Sequence, residues 1–258
     1  MTTTTGGDPA RVAVAIPCYN EAAAIGAVIA RWREALPGAE VVVFDNNSSD
    51  GTGAIARGLG VRVVEVPAQG KGHAVRAIFA AFADRDAVVL VDGDGTYPAE
   101  VVGELLGPVL AGAADMAVGA RRPEAGAGAM APLRGVGNLL IRAAFFLLIG
   151  AGPGDLLSGY RAFGRRFRAE IRPRSAGFEI EAELACEAVA RGMRVVEVPV
   201  PYRARIAGSQ SKLRAFRDGR RILATILARS LRLRPWRPLA LATLAAIGAA
   251  AIVAWGRG

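Results

Sequence analysis

Four short apolar runs, at 12–17, 41–44, 61–66 and 87–91, alternate with stretches that read as helices. Strands alternating with helices in this way build a mostly parallel sheet wrapped by helices. The first run leads through Asn20-Glu21 into an amphipathic helix that continues to about residue 36. The second ends in Asp45-Asn46-Asn47-Ser48-Ser49-Asp50-Gly51-Thr52 before a helix to 57, and after the third Gly70-Lys71-Gly72-His73 opens another. In open sheets of this class ligands bind beyond the carboxyl ends of the strands. The polar clusters 19–21, 45–52 and 92–96 all fall there, so one crevice can collect them.

The fourth run carries the most chemistry: Val88-Val89-Leu90-Val91 passes into Asp92-Gly93-Asp94-Gly95-Thr96. Carboxylates just past the end of a buried strand can converge on a divalent cation, and a cation there can hold a diphosphate. An ordinary Asp-Gly turn is the alternative. No Gly-x-Gly-x-x-Gly follows the first strand and no Gly-Lys-Ser/Thr phosphate loop occurs, which removes the usual dinucleotide and P-loop sites. What remains is a nucleotide site with a carboxylate, Asp45, for base or ribose, a metal for the diphosphate, and cations nearby. Asp45 can instead start the Asn-Ser turn, and Ser49 or Asp50 can cap the helix.

The length of 258 residues accommodates one α/β domain and an appended segment. Cys18 and Cys186 provide neither a disulfide framework nor metal-ligand spacing, which suits a reducing compartment, with Cys18 packed. Residues 1–10 are Thr- and Gly-rich without an apolar run and read as a disordered tail, not a signal peptide. The net charge of +9 would suit nucleic acid if it were spread, but residues 212–237 hold nine basic side chains and a single acid, Asp218. The other 232 residues carry only +1, so no nucleic-acid partner is expected.

The basic stretch precedes 238–255, which has no charged residue. As a helix, 239–255 would extend about 25 Å at 1.5 Å per residue, against a bilayer core of roughly 30 Å. With Trp236 and Trp255 bracketing it, the segment reads as one transmembrane helix; an interfacial or packed helix is the alternative. The arginines before it place the N-terminal domain on the cytoplasmic face. Upstream, Phe216, Leu223, Leu227 and Leu231 share one helical face and Arg214, Arg217, Arg221 and Arg232 the opposite one, a pattern suited to anionic lipid. A further apolar patch at 143–151 is too short to cross a bilayer and reads either as a buried core helix or as a guide for a lipid chain.

Ile16-Pro17-Cys18-Tyr19-Asn20-Glu21, the 45–52 turn, Gly70-Lys71-Gly72 and Asp92-Gly93-Asp94 together resemble, in order and spacing, family-two glycosyltransferases of the GT-A fold. Arg134-Gly135-Val136-Gly137-Asn138, Asp155 with Ser158-Gly159-Tyr160-Arg161, Phe178-Glu179-Ile180-Glu181 and Gly208-Ser209-Gln210-Ser211-Lys212-Leu213 extend the resemblance to polyprenyl-phosphate sugar synthases of the dolichol-phosphate mannose synthase type. It covers roughly 11–213.

The resemblance implies a GT-A domain over 11–212, to which the charge and hydropathy patterns add a basic membrane-surface helix over 213–237 and a transmembrane segment over 238–255. It implies that Pro17, Tyr19, Glu21 and Asp45 cradle the nucleoside of a UDP- or GDP-sugar, with Lys71 near base or phosphates. Asp92 would face ribose or metal, and Asp94 would bind Mg2+ or Mn2+. Thr96 stands where the mannose synthases often have a glutamine metal ligand. Arg205 and Lys212 would neutralise the leaving diphosphate, and Arg121 and Arg134, with Asn138 and Ser158, would receive a polyprenyl phosphate. Glu179 or Glu181 would orient sugar hydroxyls or act as base toward an alcohol; on a helix the two point apart, so one at most serves. The expected reaction is inverting, metal-dependent hexosyl transfer, with a soluble alcohol or glycan acceptor, or a noncatalytic nucleotide-sugar module, as alternatives.

Overall fold

The computed structural model describes residues 11–123, 132–241 and 243, and the side chains of 132–136 lie outside that description. Its elements run β1 Val12–Cys18, α1 Ala22–Ala35, β2 Glu40–Asp45, α2 Thr52–Gly58, β3 Arg62–Glu65, α3 Lys71–Ala81, β4 Ala87–Leu90 and α4 Val102–Leu110. They continue as β5 Met116–Pro123, α5 Pro132–Leu148, β6 Arg161–Gly164, α6 Arg165–Glu170, α7 Ile180–Ala190, β7 Val195–Tyr202 and α8 Ala215–Leu233. The strands order as β3-β2-β1-β4-β6-β5-β7, with β6 antiparallel to both its neighbours and every other pairing parallel.

The sheet is covered on both faces, and the period-two geometry of a strand divides each apolar run between them. Val12, Val14, Ile16 and Cys18 of β1 enter one core with Ile25, Ile29 and Trp32 of α1 and Leu105 of α4. Ala13 and Ala15 face the other, with Phe44, Val75, Ile78 and Phe163 and with Ile180 and Leu184 of α7. The four strands expected from the sequence are thus present, and the sheet is mostly parallel.

A third core lies outside the sheet, where Ile141, Phe145 and Ile149 meet Ala182 and Cys186 of α7 and Ile222 and Ile226 of α8. The 143–151 patch is therefore divided: Phe145 and Ile149 are buried, whereas Phe146 and Leu147 are exposed. The same interface is charged. Glu183, fully buried, accepts the backbone N–H groups of Arg174 (3.0 Å) and Ser175 (2.7 Å) and pairs with Arg229 of α8, which also reaches Glu187. Among the described residues no helix is long and apolar enough to cross a membrane. The expected 238–255 segment falls mostly outside them, as does the 1–10 tail.

Toward the carboxyl end of β5 Arg121 forks onto Asp155, Nε to Oδ2 at 2.7 Å and Nη2 to Oδ1 at 2.6 Å. Burial pushes the Asp155 carboxyl up, but the hydrogen bonds and charge of Arg121 outweigh it and hold it below the usual aspartate value.

Two outcomes follow. Glu183→Ala leaves Arg229 and two backbone donors without their buried acceptor, so it should cost about 3–5 kcal/mol in urea unfolding and speed amide exchange in α8. The Asp155 pair stabilises above the ordinary aspartate pKa and is lost as pH falls through the depressed one. Asp155→Asn should therefore lower the unfolding midpoint at pH 7 and flatten its decline in acid.

Candidate active site

A cavity of about 500 Å³ opens at the carboxyl ends of the strands. Pro17, Cys18, Tyr19 and Glu21 line it after β1, Gln69 to Lys71 before and at the start of α3, and Asp92 to Asp94 after β4. Its other wall comes from Ala176 to Phe178, Arg205 and the segment from Ser211 into α8.

Four carboxylates at the crevice, those of Asp92, Glu181, Asp94 and Glu21, are each met by a cation from a distant part of the chain. Lys71 Nζ lies 2.6 Å from Asp92 Oδ1 and 2.6 Å from Glu181 Oε1. Burial disfavours its charge, yet the two carboxylates together hold it protonated well above the usual lysine range. Asp94 pairs with Arg205, and its Oδ1 accepts the Thr96 hydroxyl at 2.7 Å and the Thr96 N–H at 3.0 Å. Glu21 accepts the Ser209 hydroxyl at 2.5 Å and lies 3.4 Å from Lys212, whose Nζ also donates to the Asn20 carbonyl at 2.9 Å. Burial pushes the Glu21 carboxyl up, against the pull of Ser209 and Lys212.

Close backbone approaches fix this arrangement. Gly72 N–H donates to the Ala176 carbonyl at 2.8 Å, and a side chain at Gly72 would strike the Ser175 carbonyl. A Cβ at Gly159 would run into the Asp92 carboxylate, so the loop before β6 presses directly on Asp92. On the other side Arg203 N–H donates to Thr96 O at 2.9 Å and Ile206 N–H to Asp94 O at 3.3 Å, which lays the segment after β7 across the Asp92-Gly93-Asp94 turn.

Of the residues singled out from sequence, Pro17, Tyr19, Glu21, Lys71, Asp92, Asp94, Arg205 and Lys212 converge on this crevice. Asp45 is buried beside it and accepts the Ser48 N–H at 3.0 Å, the turn-starting role that its sequence context also allowed. Its neighbour Asn46, which the sequence did not single out, lines the crevice. Asn46 donates to Val66 O and Ala68 O and accepts Gly70 N–H at 2.6 Å. Thr96 spends its hydroxyl on Asp94. Glu179 is the residue before α7 and accepts Gly177 N–H at 3.0 Å, while Glu181 is the glutamate that reaches Lys71. Arg121 is engaged by Asp155, and Ser158 is fully buried with its hydroxyl 2.6 Å from Gly119 O. Asn138 lies on α5, as does the backbone of Arg134, whose side chain is outside the described residues.

The donor set in the crevice is hard oxygen, the set that suits Mg2+ or Mn2+. The guanidinium of Arg205 already offsets the Asp94 charge as a cation there would. Among the described residues no group of three or more His, Cys, Asp or Glu is arranged to hold a metal.

Residues 13–135 match the family model described as glycosyl transferase family 2. The glycosyltransferase AglJ of Haloferax volcanii is 39% identical over 211 residues, covering 82% of this chain and 69% of its own. A dolichyl-phosphate hexose transferase of the same organism is 36% identical over 217 residues, covering 84% of this chain and 92% of its own. Among solved structures, glucosyl-3-phosphoglycerate synthase from Mycobacterium tuberculosis, in complex with Mn2+ and UDP-glucose, superposes with a TM-score of 0.69 at 25% identity. That alignment covers 86% of this chain and 81% of the other. With more than two thirds of each of these curated relatives spanned at 36–39% identity, the chain belongs to glycosyl transferase family 2.

Proposed function

We propose that this glycosyltransferase moves a hexose from a nucleoside diphosphate sugar to a polyprenyl phosphate at a membrane surface, with inversion. The observation that carries the reading is the crevice in which Asp92 and Asp94 stand among Lys71, Arg205 and Lys212. The dolichyl-phosphate hexose transferase similarity supports the acceptor, and the synthase crystallised with UDP-glucose and Mn2+ supports the donor and a divalent metal.

Pro17, Tyr19 and Glu21 bind the nucleoside, with Asp45 steadying the loop that presents Asn46. Asp94 and Asp92 would hold Mg2+ or Mn2+, which when bound supplies charge neutralisation to the diphosphate; Thr96 orients Asp94. Arg205 and Lys212 grip the departing diphosphate, a fixed electrostatic stabilisation of charge that grows as the glycosidic bond breaks. Lys71, kept cationic by Glu181, faces the same charge. Glu179 has one buried carboxylate oxygen without a partner among the described residues, and it is assigned to a sugar hydroxyl. A phosphate acceptor is already anionic at neutral pH, so the attack needs no strong base. Arg134 and Asn138 on α5 remain assigned to the acceptor side.

Membrane contact is assigned to α5 and α8. Leu139, Leu140, Leu147, Leu223, Leu227 and Leu231 are exposed on these two helices, beside the concentrated basic charge of 212–237. A cationic surface with apolar side chains suits an anionic leaflet. In this reading 238–255 anchors the chain and the crevice faces the cytoplasm. A soluble phosphorylated acceptor is the second reading, favoured by the similarity to glucosyl-3-phosphoglycerate synthase.

Purified protein with Mn2+ or Mg2+, a short polyprenyl phosphate and each common UDP- and GDP-sugar should release nucleoside diphosphate together with an acid-labile, lipid-extractable sugar phosphate. Release without lipid product would favour a soluble acceptor, and no release with any donor would sink the donor assignment. Asp94→Asn should lower turnover by about 100-fold or more. Gly159→Ala displaces Asp92 and should cost about tenfold in kcat/KM, roughly 1.4 kcal/mol of transition-state stabilisation, with the unfolding midpoint little changed.

A further inference from the structure

Helix α8 carries three faces. Asp218, Ile222 and Ile226 are buried against the protein, whereas Phe216, Leu223, Leu227 and Leu231 are exposed. At 3.6 residues per turn, Arg214, Arg217 and Arg221 fall on a third stripe, about a third of a turn from each of the others. This third stripe borders the crevice: all three arginines line the same cavity as Tyr19, Asp92, Asp94 and Arg205.

The cations deeper in the crevice each have an internal carboxylate, but the α8 arginines are in surplus. Arg217 Nε lies 3.1 Å from Asp218 Oδ1, the carboxylate whose Oδ2 accepts the Arg214 N–H at 2.7 Å. Among the described residues, neither the Arg214 nor the Arg221 side chain is in an ion pair. Three guanidinium groups on one stripe, with a single acid to share, make a site for a doubly charged oxyanion, which arginine forks bind bidentately. Of the four residues expected from sequence to receive the acceptor, Arg121 and Ser158 are already committed to Asp155 and Gly119, while Arg134 and Asn138 stay assigned to the acceptor side.

We propose that Arg214, Arg217 and Arg221 form the subsite that receives the phosphate monoester of the acceptor. The proposal rests on the crevice being the donor site, and it adds where the second substrate's charge is held. The exposed leucines on the adjacent face of the same helix give an apolar tail a path out of the crevice while its phosphate stays inside. A phosphate on a small soluble acceptor would use the same three arginines without that path.

The test is the full-length protein with Arg217 and Arg221 both replaced by Gln, exposed positions at which folding should be kept. Titrations of a short prenyl monophosphate and of glycerol 3-phosphate give direct binding, turnover gives the acceptor KM, and calorimetry with UDP and GDP in the presence of Mn2+ gives donor-site affinity. The expected result is a rise of about tenfold or more in Kd and KM for a phosphorylated acceptor, with nucleotide Kd within about twofold of the parent. A response confined to prenyl phosphate assigns the subsite to a lipid phosphate, and a response of glycerol 3-phosphate assigns it to a soluble one. Acceptor binding that does not change overturns the proposal, as does a nucleotide Kd that rises in step with it. Loss of binding to anionic vesicles with an unchanged acceptor Kd also overturns it, in favour of a lipid-surface role. Should the parent protein bind neither nucleotide, the donor reading fails by itself, while the prenyl phosphate titration still decides the arginines.

Discussion

The side chain of Lys71 is only 10% exposed, and its near-burial organises much of the molecule. A charge removed from water costs several kcal/mol unless partners are supplied at close range. Here they come from two elements far apart in sequence: Asp92 at the end of β4 and Glu181 on the first turn of α7. To make both contacts, α3 must start where the 175–177 segment touches it, and Gly72 is the residue that permits the touch. The start of α7 is thereby fixed against the strand ends. The same helix then presents Glu183 and Glu187 to Arg229, so its docking sets the position of α8. A continuous series of ion pairs and backbone contacts thus joins the Asp92-Gly93-Asp94 turn to the amphipathic helix.

This continuity bears on how charge is distributed in the crevice. Asp92, Asp94, Glu21 and Glu181 are faced by Lys71, Arg205 and Lys212 from across the cavity, four carboxylates to three cations, so the inner wall has no positive excess. Such a wall is stable as it stands and does not by itself attract a second anion beside a diphosphate. The positive excess lies at α8, where three arginines share one aspartate. Two negatively charged substrates can be accommodated together only if they meet separate cations, and the fold provides two sets on two elements.

Much of the sheet was legible because its information is local. A buried parallel strand is apolar along its length, and the 12–17, 41–44, 61–66 and 87–91 runs each contain or closely match a strand of the structure. The ends of these runs identify the crevice, since polar residues after a buried strand have few other places to go. The reversed strand β6 was not foreseen: its four residues, Arg161 to Gly164, are too few to set a period and begin with an arginine that is wholly buried. Side-chain pairing was also hidden. Nothing near Arg121 signals Asp155, and nothing near Lys71 distinguishes Glu181 from Glu179. Both distinctions depend on helix and strand directions that only the assembled sheet defines.

Helix α8 shows why a correct local pattern can still be given the wrong number of faces. An amphipathic reading divides a helix in two, apolar against polar, and assigns the polar side to water or to lipid headgroups. The division of Phe216, Leu223, Leu227 and Leu231 from Arg214, Arg217, Arg221 and Arg232 is present in the structure. The buried side of α8, however, holds Asp218, Ile222, Ile226 and Ser230, a third set mixed enough in polarity to be invisible to that reading. Once that side is fixed against α5 and α7, the apolar stripe must point outward. The arginine stripe must then turn toward the crevice along the first turns of the helix, and farther along toward Arg174 and Ser175, which Arg232 joins in a second, smaller hollow. The basic charge before the uncharged segment is therefore partitioned by position along one helix, its first turns belonging to the crevice and its last to the surface beyond it.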